Sequence, residues 1–154
     1  MAKRSVRVDK KLIESSSEED ISIVVQPEKL ISQFKLLRDE KGFNYLRDIT
    51  AVDWLSNERK KKRFEVVYQL ANTRERKRIS VKVFVDDGEA LSTSIFLFPS
   101  ANFLEREIYD LFGIKFDGHP DLRRILLSDD WEGHPLRKDY PVTGYDMWDW
   151  RAHR

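Results

Sequence analysis

The chain has 154 residues, of which 40% are hydrophobic and 36% charged, and its formal net charge is only +1. That size and apolar content suit one core, and the near-balance of charge argues against a generic binder of nucleic acid or anionic membrane. The absence of cysteine excludes disulfides, Cys-ligated iron–sulfur clusters and thiol nucleophiles.

Residues 1–20 begin basic and end in ESSSEED, the composition of a mobile leader. Met1–Lys10 is too polar for a signal peptide, and no apolar run reaches membrane-spanning length, so a soluble, cytoplasmic chain is expected. Pro27 opens a helical pattern with Leu30, Ile31, Phe34 and Leu37 on one side and Gly42 closing it. Tyr45 to Trp54 reads as a strand with apolar residues on both faces. Phe64, Val66, Tyr68 and Leu70 alternate strictly, as do Ile79, Val81, Val83 and Val85, so two half-buried strands follow. The basic loops SNERKKKR and NTRERKR join them into an antiparallel meander. Ile95–Phe98 reads as a short strand or an extended lead-in.

Pro99 and Gly113 bracket a second helix whose apolar stripe is Ala101, Leu104, Ile108 and Leu111. Its other face carries Glu105, Arg106, Glu107 and Asp110, and a long, charge-dense loop with two Gly-His-Pro turns follows. Loops of this length tend to be functional or held by something else. These elements define a single α+β domain over residues 21–140: a mixed, mainly antiparallel sheet with helices packed on it and a long C-terminal extension. The segment 141–154 holds Tyr145, Trp148 and Trp150 with few aliphatic neighbours, which marks it as an aromatic docking tail.

Catalytic chemistry finds little support. Glu105 and Glu107 are two apart on a helix and point to different sides, so they do not form an acid–base pair. Arg106 and Asp110 are i,i+4 neighbours, placed to pair with each other or with another chain. His119 and His134 lie among many aspartates, but each precedes a proline and their spacing matches no metal-ligand pattern; both fit bridging of backbone groups in an ordered loop. No phosphate-binding glycine loop accompanies Arg123, Arg124, Arg137 and Lys138, whose chemistry suits partner carboxylates. A second class, RNA binding, rests on Phe64, Tyr68 and Phe84 flanked by the two basic loops.

The runs EREIYDLFGI at 105–114, GHPDLRRIL at 118–126 and GHPLRKDYP at 133–141 closely resemble one family: the C-type, thirty-kilodalton subunit of NADH:quinone oxidoreductase, respiratory complex I. NYLRDITAVDW at 44–54 and VKVFV at 81–85 are similar to it too. The signature positions matched are Glu105, Arg106, Glu107, Asp110, Leu111, Phe112, His119, Arg123, Ile125 and Leu126. The resemblance implies a non-catalytic subunit of the hydrophilic arm of the translocase, on the cytoplasmic face of the cell membrane. It would carry no cofactor itself; flavin, iron–sulfur clusters and quinone would sit on partner subunits. It would pack against the quinone-site (D) and cluster-bearing (B) subunits of complex I, with no nucleic acid or substrate of its own. Similar domains occur in membrane-bound hydrogenases and in the plastid and cyanobacterial enzyme. The expected partner interface comprises the helix residues Glu105, Arg106, Glu107 and Asp110. It continues through the loop residues His119, Arg123, Arg124, His134, Arg137, Lys138, Asp139 and Tyr140, and ends on Trp148 and Trp150 of the tail.

Overall fold

Alternation of inward and outward side chains builds the central sheet. In the computed structural model, which describes residues 21–57 and 61–141, four strands lie in the order β1-β4-β3-β2. They are β1 (Ile21–Val25), β2 (Tyr45–Asp53), β3 (Phe64–Asn72) and β4 (Lys77–Val85). The pairs β2–β3 and β3–β4 are antiparallel, whereas β1 joins β4 in parallel, with Ile21 opposite Ile79 and Val25 opposite Val83. Period-2 spacing sends Ile49, Tyr68 and Val81, register neighbours on three strands, to the same face. That face is the core: Phe64, Val66, Leu70, Val83 and Val85 are buried on it.

Two helices cover this face. A 3₁₀ turn at Pro27–Lys29 runs into α1 (Leu30–Asp39), which buries Leu30, Phe34 and Leu37 at helical spacing. The Phe34 ring meets Tyr68 edge-on at 4.9 Å between centroids and Phe98 at 5.9 Å. The second helix, α2 (Ala101–Phe112), buries Ala101, Glu105, Ile108 and Phe112. Beyond it, the short strand β6 (Lys115–Asp117) pairs in parallel with β5 (Ala90–Ser92) to make a two-stranded sheet.

The α+β architecture and the antiparallel meander match the sequence reading. Three elements differ. Strand β1 lies where no element was expected; it is short, and its partner is remote in sequence. Ile95–Phe98 forms hydrogen-bonded turns, with Leu97 N–H and Phe98 N–H both donating to the Ser94 carbonyl, instead of a strand. The strand pair β5–β6 is too short for a periodic signal. The leader 1–20 and the tail residues 142–154, with Tyr145, Trp148 and Trp150, lie outside the described residues. The aromatic platform required for RNA stacking is not formed, because Phe64 and Tyr68 are buried under the helices while Phe84 points to the other face of the sheet.

Gly113 terminates α2 with φ 77°, the left-handed conformation, and its amide donates to the Tyr109 carbonyl. A Cβ here would lie 2.6 Å from Cδ2 of His134. Gly113→Ala therefore meets both a backbone penalty and a steric clash, and an expected loss of at least about 2 kcal/mol should appear in urea unfolding of the isolated chain.

Candidate interaction site on the second helix and the loop that follows

The loop after β6 has almost no regular structure, so its backbone groups need other partners. Asp110, fully buried on α2, supplies them. Its Oδ2 accepts the backbone N–H groups of Ile125, Leu126 and Leu127 at 2.8–3.0 Å, and its Oδ1 accepts Nη1 of Arg124 at 2.7 Å. Burial alone would raise the Asp110 pKa; the Leu127 amide, the Arg124 guanidinium and the Ile125 and Leu126 amides outweigh it and hold the pKa below the usual carboxylate range. Arg124 continues the network by donating from Nη2 to the carbonyls of Trp131 and Gly133 at 2.9 and 3.0 Å. One carboxylate and one guanidinium thus tie together a loop whose own backbone bonds are mostly local turns, such as the Trp131 N–H to the Ser128 carbonyl and the Arg137 N–H to the His134 carbonyl.

The neighbouring residues complete the fastening. Arg106 donates to the carbonyls of Arg123 and Arg124 at 3.1 and 2.9 Å. Nδ1 of His119 accepts the Asp121 N–H, which leaves the proton on Nε2 to bond the Asn102 carbonyl at 3.2 Å. Nδ1 of His134 donates to the Asp110 carbonyl at 2.8 Å. His119 bridges two backbone groups and His134 bonds one, and among the described residues no cluster of three His, Cys, Asp or Glu side chains is arranged to hold a metal.

A second network ties the end of the loop to the sheet. Arg63 contacts Asp53 at 2.9 Å, Asp87 at 3.0 Å and Asp139 at 2.7 Å. Arg137 reaches Asp87 and Asp139, and the Lys138 N–H donates to Asp53 Oδ2 at 2.9 Å. Both guanidinium groups lie over the Phe64 ring, at 4.8 and 5.5 Å from its centroid. An open cleft of about 280 Å³ remains here, lined by Gly133, His134, Arg137, Asp139 and Tyr140.

Hydrogen bonding to Arg63, aided by Arg137 and opposed by partial desolvation, lowers the Asp139 pKa to about 2. A carboxylate whose folded pKa lies below its unfolded value of about 4 stabilises the fold above that value. The contribution is lost as pH falls through the folded pKa. Stability of the isolated chain, measured by urea unfolding, is therefore expected to decline from pH 4 to pH 2. In Asp139→Asn this decline should be shallower. The difference is small, because Asp139 is half-exposed and solvent screens its ion pairs.

These contacts revise the expected interface. Glu105 and Asp110 do not face a partner: both are fully buried and satisfied within the chain. Arg106 does not pair with Asp110, because Arg124 takes the carboxylate and Arg106 binds loop carbonyls. Arg124, His119, His134, Arg137 and Asp139 are likewise engaged within the chain. Glu107, Arg123 and Lys138 are exposed. Trp148 and Trp150 lie outside the described residues.

The pattern 101, 105, 108, 112 centres Glu105 in the buried stripe, where it accepts Thr93 Oγ1 at 2.5 Å and both the N–H and Oγ of Ser94 at 2.7 Å. Polarity alone assigned it to the outer face. The sequence reading did not single out Phe96, Phe103 and Leu136, and named Leu126 only as a signature position; Phe96, Phe103, Leu126 and Leu136 are 80%, 60%, 61% and 51% exposed. Of these only Phe103 carries a periodic signal, a large apolar residue out of phase with the buried stripe of α2.

The model of the family described as "Respiratory-chain NADH dehydrogenase, 30 Kd subunit" matches residues 23–146. This chain belongs to that family. Among curated relatives, the C subunit of NADH-quinone oxidoreductase from Geotalea uraniireducens is 45% identical over 128 residues, covering 82% of this chain and 76% of the relative. The fold of a trypsin-resistant fragment (1–134) of Nqo5 matches with a TM-score of 0.61 at 39% identity, covering 67% of this chain and 83% of the fragment. A chain from an archaeal respiratory membrane complex, the membrane-bound sulfane sulfur reductase, matches with a TM-score of 0.73 at 28% identity, covering 84% of this chain and 76% of that one. Three of the matched signature positions have a physical role in this chain: Arg106, Asp110 and His119, with Arg124 beside them, tie the loop to α2. No helix among the described residues of this family member is long and apolar enough to cross a membrane.

Proposed function

We propose that this chain is a non-catalytic structural subunit of the peripheral arm of an NADH:quinone oxidoreductase, seated against the quinone-site (D) and cluster-bearing (B) subunits on the cytoplasmic face of the membrane. The observation that carries the reading is the 45% identity to the C-type relative over 82% of the chain. The geometry agrees with a scaffold. Arg106, Asp110 and Arg124 are spent on holding the backbone of the loop, and Leu126 and Leu136, with Phe103 on the adjoining helix, stand outward among exposed charges such as Glu107, Arg123 and Lys138. Large apolar side chains on a pre-shaped surface suit docking. In this reading flavin, clusters and quinone belong to partner subunits, and the chain's part in proton translocation is to hold them in place.

The test is recovery of the tagged chain from native membranes. The quinone-site and cluster-bearing subunits are expected in equimolar amount together with NADH-dependent quinone reduction, and the purified chain alone should show no such activity. Recovery without either of the two would overturn the reading. A second reading, the equivalent subunit of a related respiratory membrane complex, is favoured by the fold match to the archaeal reductase. It predicts recovery of a membrane complex that lacks an NADH-oxidising module.

A further inference from the structure

The two ends of the central sheet treat their arginines in opposite ways. At the end that meets the C-terminal loop, Arg63 and Arg137 are clamped by Asp53, Asp87 and Asp139. At the other end the β3–β4 hairpin tip exposes Arg74, Arg76 and Arg78, and none of the three forms an ion pair among the described residues. The ammonium of Lys77 beside them pairs, among the described residues, with its exposed neighbour Glu75 at 2.7 Å. Strand β2 adds Arg47, exposed at a register shift, and Tyr45, which lies opposite Ala71 and is 51% exposed. With a net charge of +1 over the whole chain, this is a local concentration of cations and not a general basicity.

The tip is also built to keep one shape. Oδ1 of the buried Asn72 accepts the N–H groups of Arg74 and Glu75, both at 3.0 Å, while its Nδ2 donates to the Lys41 carbonyl at 3.2 Å. Asn44 Oδ1 takes the N–H and hydroxyl of Thr73. Gly42 makes room for this brace, since a Cβ there would lie 2.8 Å from Asn72 Nδ2. Arg76 sits at φ 56°, in the left-handed region that glycine or asparagine occupies with less strain. The fold thus holds a long cationic side chain at a backbone position where a small residue would be more comfortable.

We propose that this hairpin tip docks onto a carboxylate-rich surface of a neighbouring subunit. The inference rests on the reading of the chain as a subunit of a larger complex and adds a specific surface and partner chemistry to it. Arginine forks match carboxylates bidentately, Arg and Tyr are the side chains that anchor protein interfaces, and a pre-braced turn loses little entropy on docking. A lipid surface is attracted by charge alone and gains nothing from a turn held in one conformation.

The experiment uses the full chain in native membranes. The triple variant Arg74→Gln, Arg76→Gln, Arg78→Gln is expected to reduce recovery of the chain with its complex at least tenfold, with residual association more sensitive to salt. The isolated variant should melt within a few degrees of the parent. Arg76→Asn supplies a second arm: relief of backbone strain should leave the melting temperature equal or higher while recovery still falls. In a complex carrying Arg76→Lys, a carbodiimide is expected to join the new amine to an Asp or Glu of another subunit, identified by mass spectrometry. Normal assembly of the triple variant, or cross-links confined to this chain, would overturn the proposal. So would unchanged assembly accompanied by lost binding to phosphatidylglycerol vesicles, which would assign the tip to the membrane. Failure of the parent chain to co-purify with any complex defeats the subunit reading itself, before any substitution is compared.

Discussion

Asp110→Ala is expected to destabilise the isolated chain by about 3–5 kcal/mol in urea unfolding, the cost of removing one partner from a buried ion pair. The substitution leaves the Arg124 guanidinium without its carboxylate and strips the acceptor from three successive N–H groups, those of Ile125, Leu126 and Leu127. Each buried donor left without a partner adds to the loss. Arg124→Ala should be nearly as severe, because the Trp131 and Gly133 carbonyls lose a donor as well. The effects of the two substitutions overlap, so the double variant is expected to lose clearly less than their sum. A loss below about 1 kcal/mol for Asp110→Ala would show that the loop is not fastened through this carboxylate.

Glu105→Ala is the second large effect, expected at about 3 kcal/mol. Its carboxylate accepts from the hydroxyls of Thr93 and Ser94 and the Ser94 N–H inside the core, and alanine removes the acceptor of all three donors, leaving the Thr93 oxygen only its bond from the Ile95 N–H. Glu105→Gln should cost less, about 1–2 kcal/mol, because an amide oxygen still accepts from Ser94 and the amide nitrogen can donate to Thr93 Oγ1. The order Ala worse than Gln, read from thermal or urea unfolding of the purified chain, checks the role. The same carboxylate lies close enough to Tyr68 to act with burial in pushing that phenol's pKa well above its ordinary value. Burial is the larger influence.

Much of this architecture could be read before any coordinates. Period-2 runs such as Phe64–Leu70 and Ile79–Val85 carry their own signal, because a half-buried strand needs apolar residues on one face only. Pro27, Gly42 and Gly113 marked helix and turn boundaries by backbone chemistry. Glu105 and Asp110 were illegible for a shared reason: a carboxylate buried with its donors looks, in one dimension, the same as a solvated one. The donors come from residues 93–94 and 124–127, and only the folded chain brings them to the helix. The family signature located these positions without revealing that their work is internal.

Strand β1 pairs with β4 across the intervening β2–β3 hairpin, and that placement bears on the order of events during synthesis. The antiparallel pairs β2–β3 and β3–β4 close between sequence neighbours as soon as each strand has left the ribosome. Residues 21–25 emerge earlier yet, among the described residues, have no strand to pair with until Ile79–Val83 of β4 is free. In the interval ISIVV is an apolar segment without a ladder, the kind of exposed stretch that chaperones bind. In the finished protein the same strand should be the first of the sheet to open. Its amides should exchange with deuterium sooner than those of β3, which is bonded on both sides.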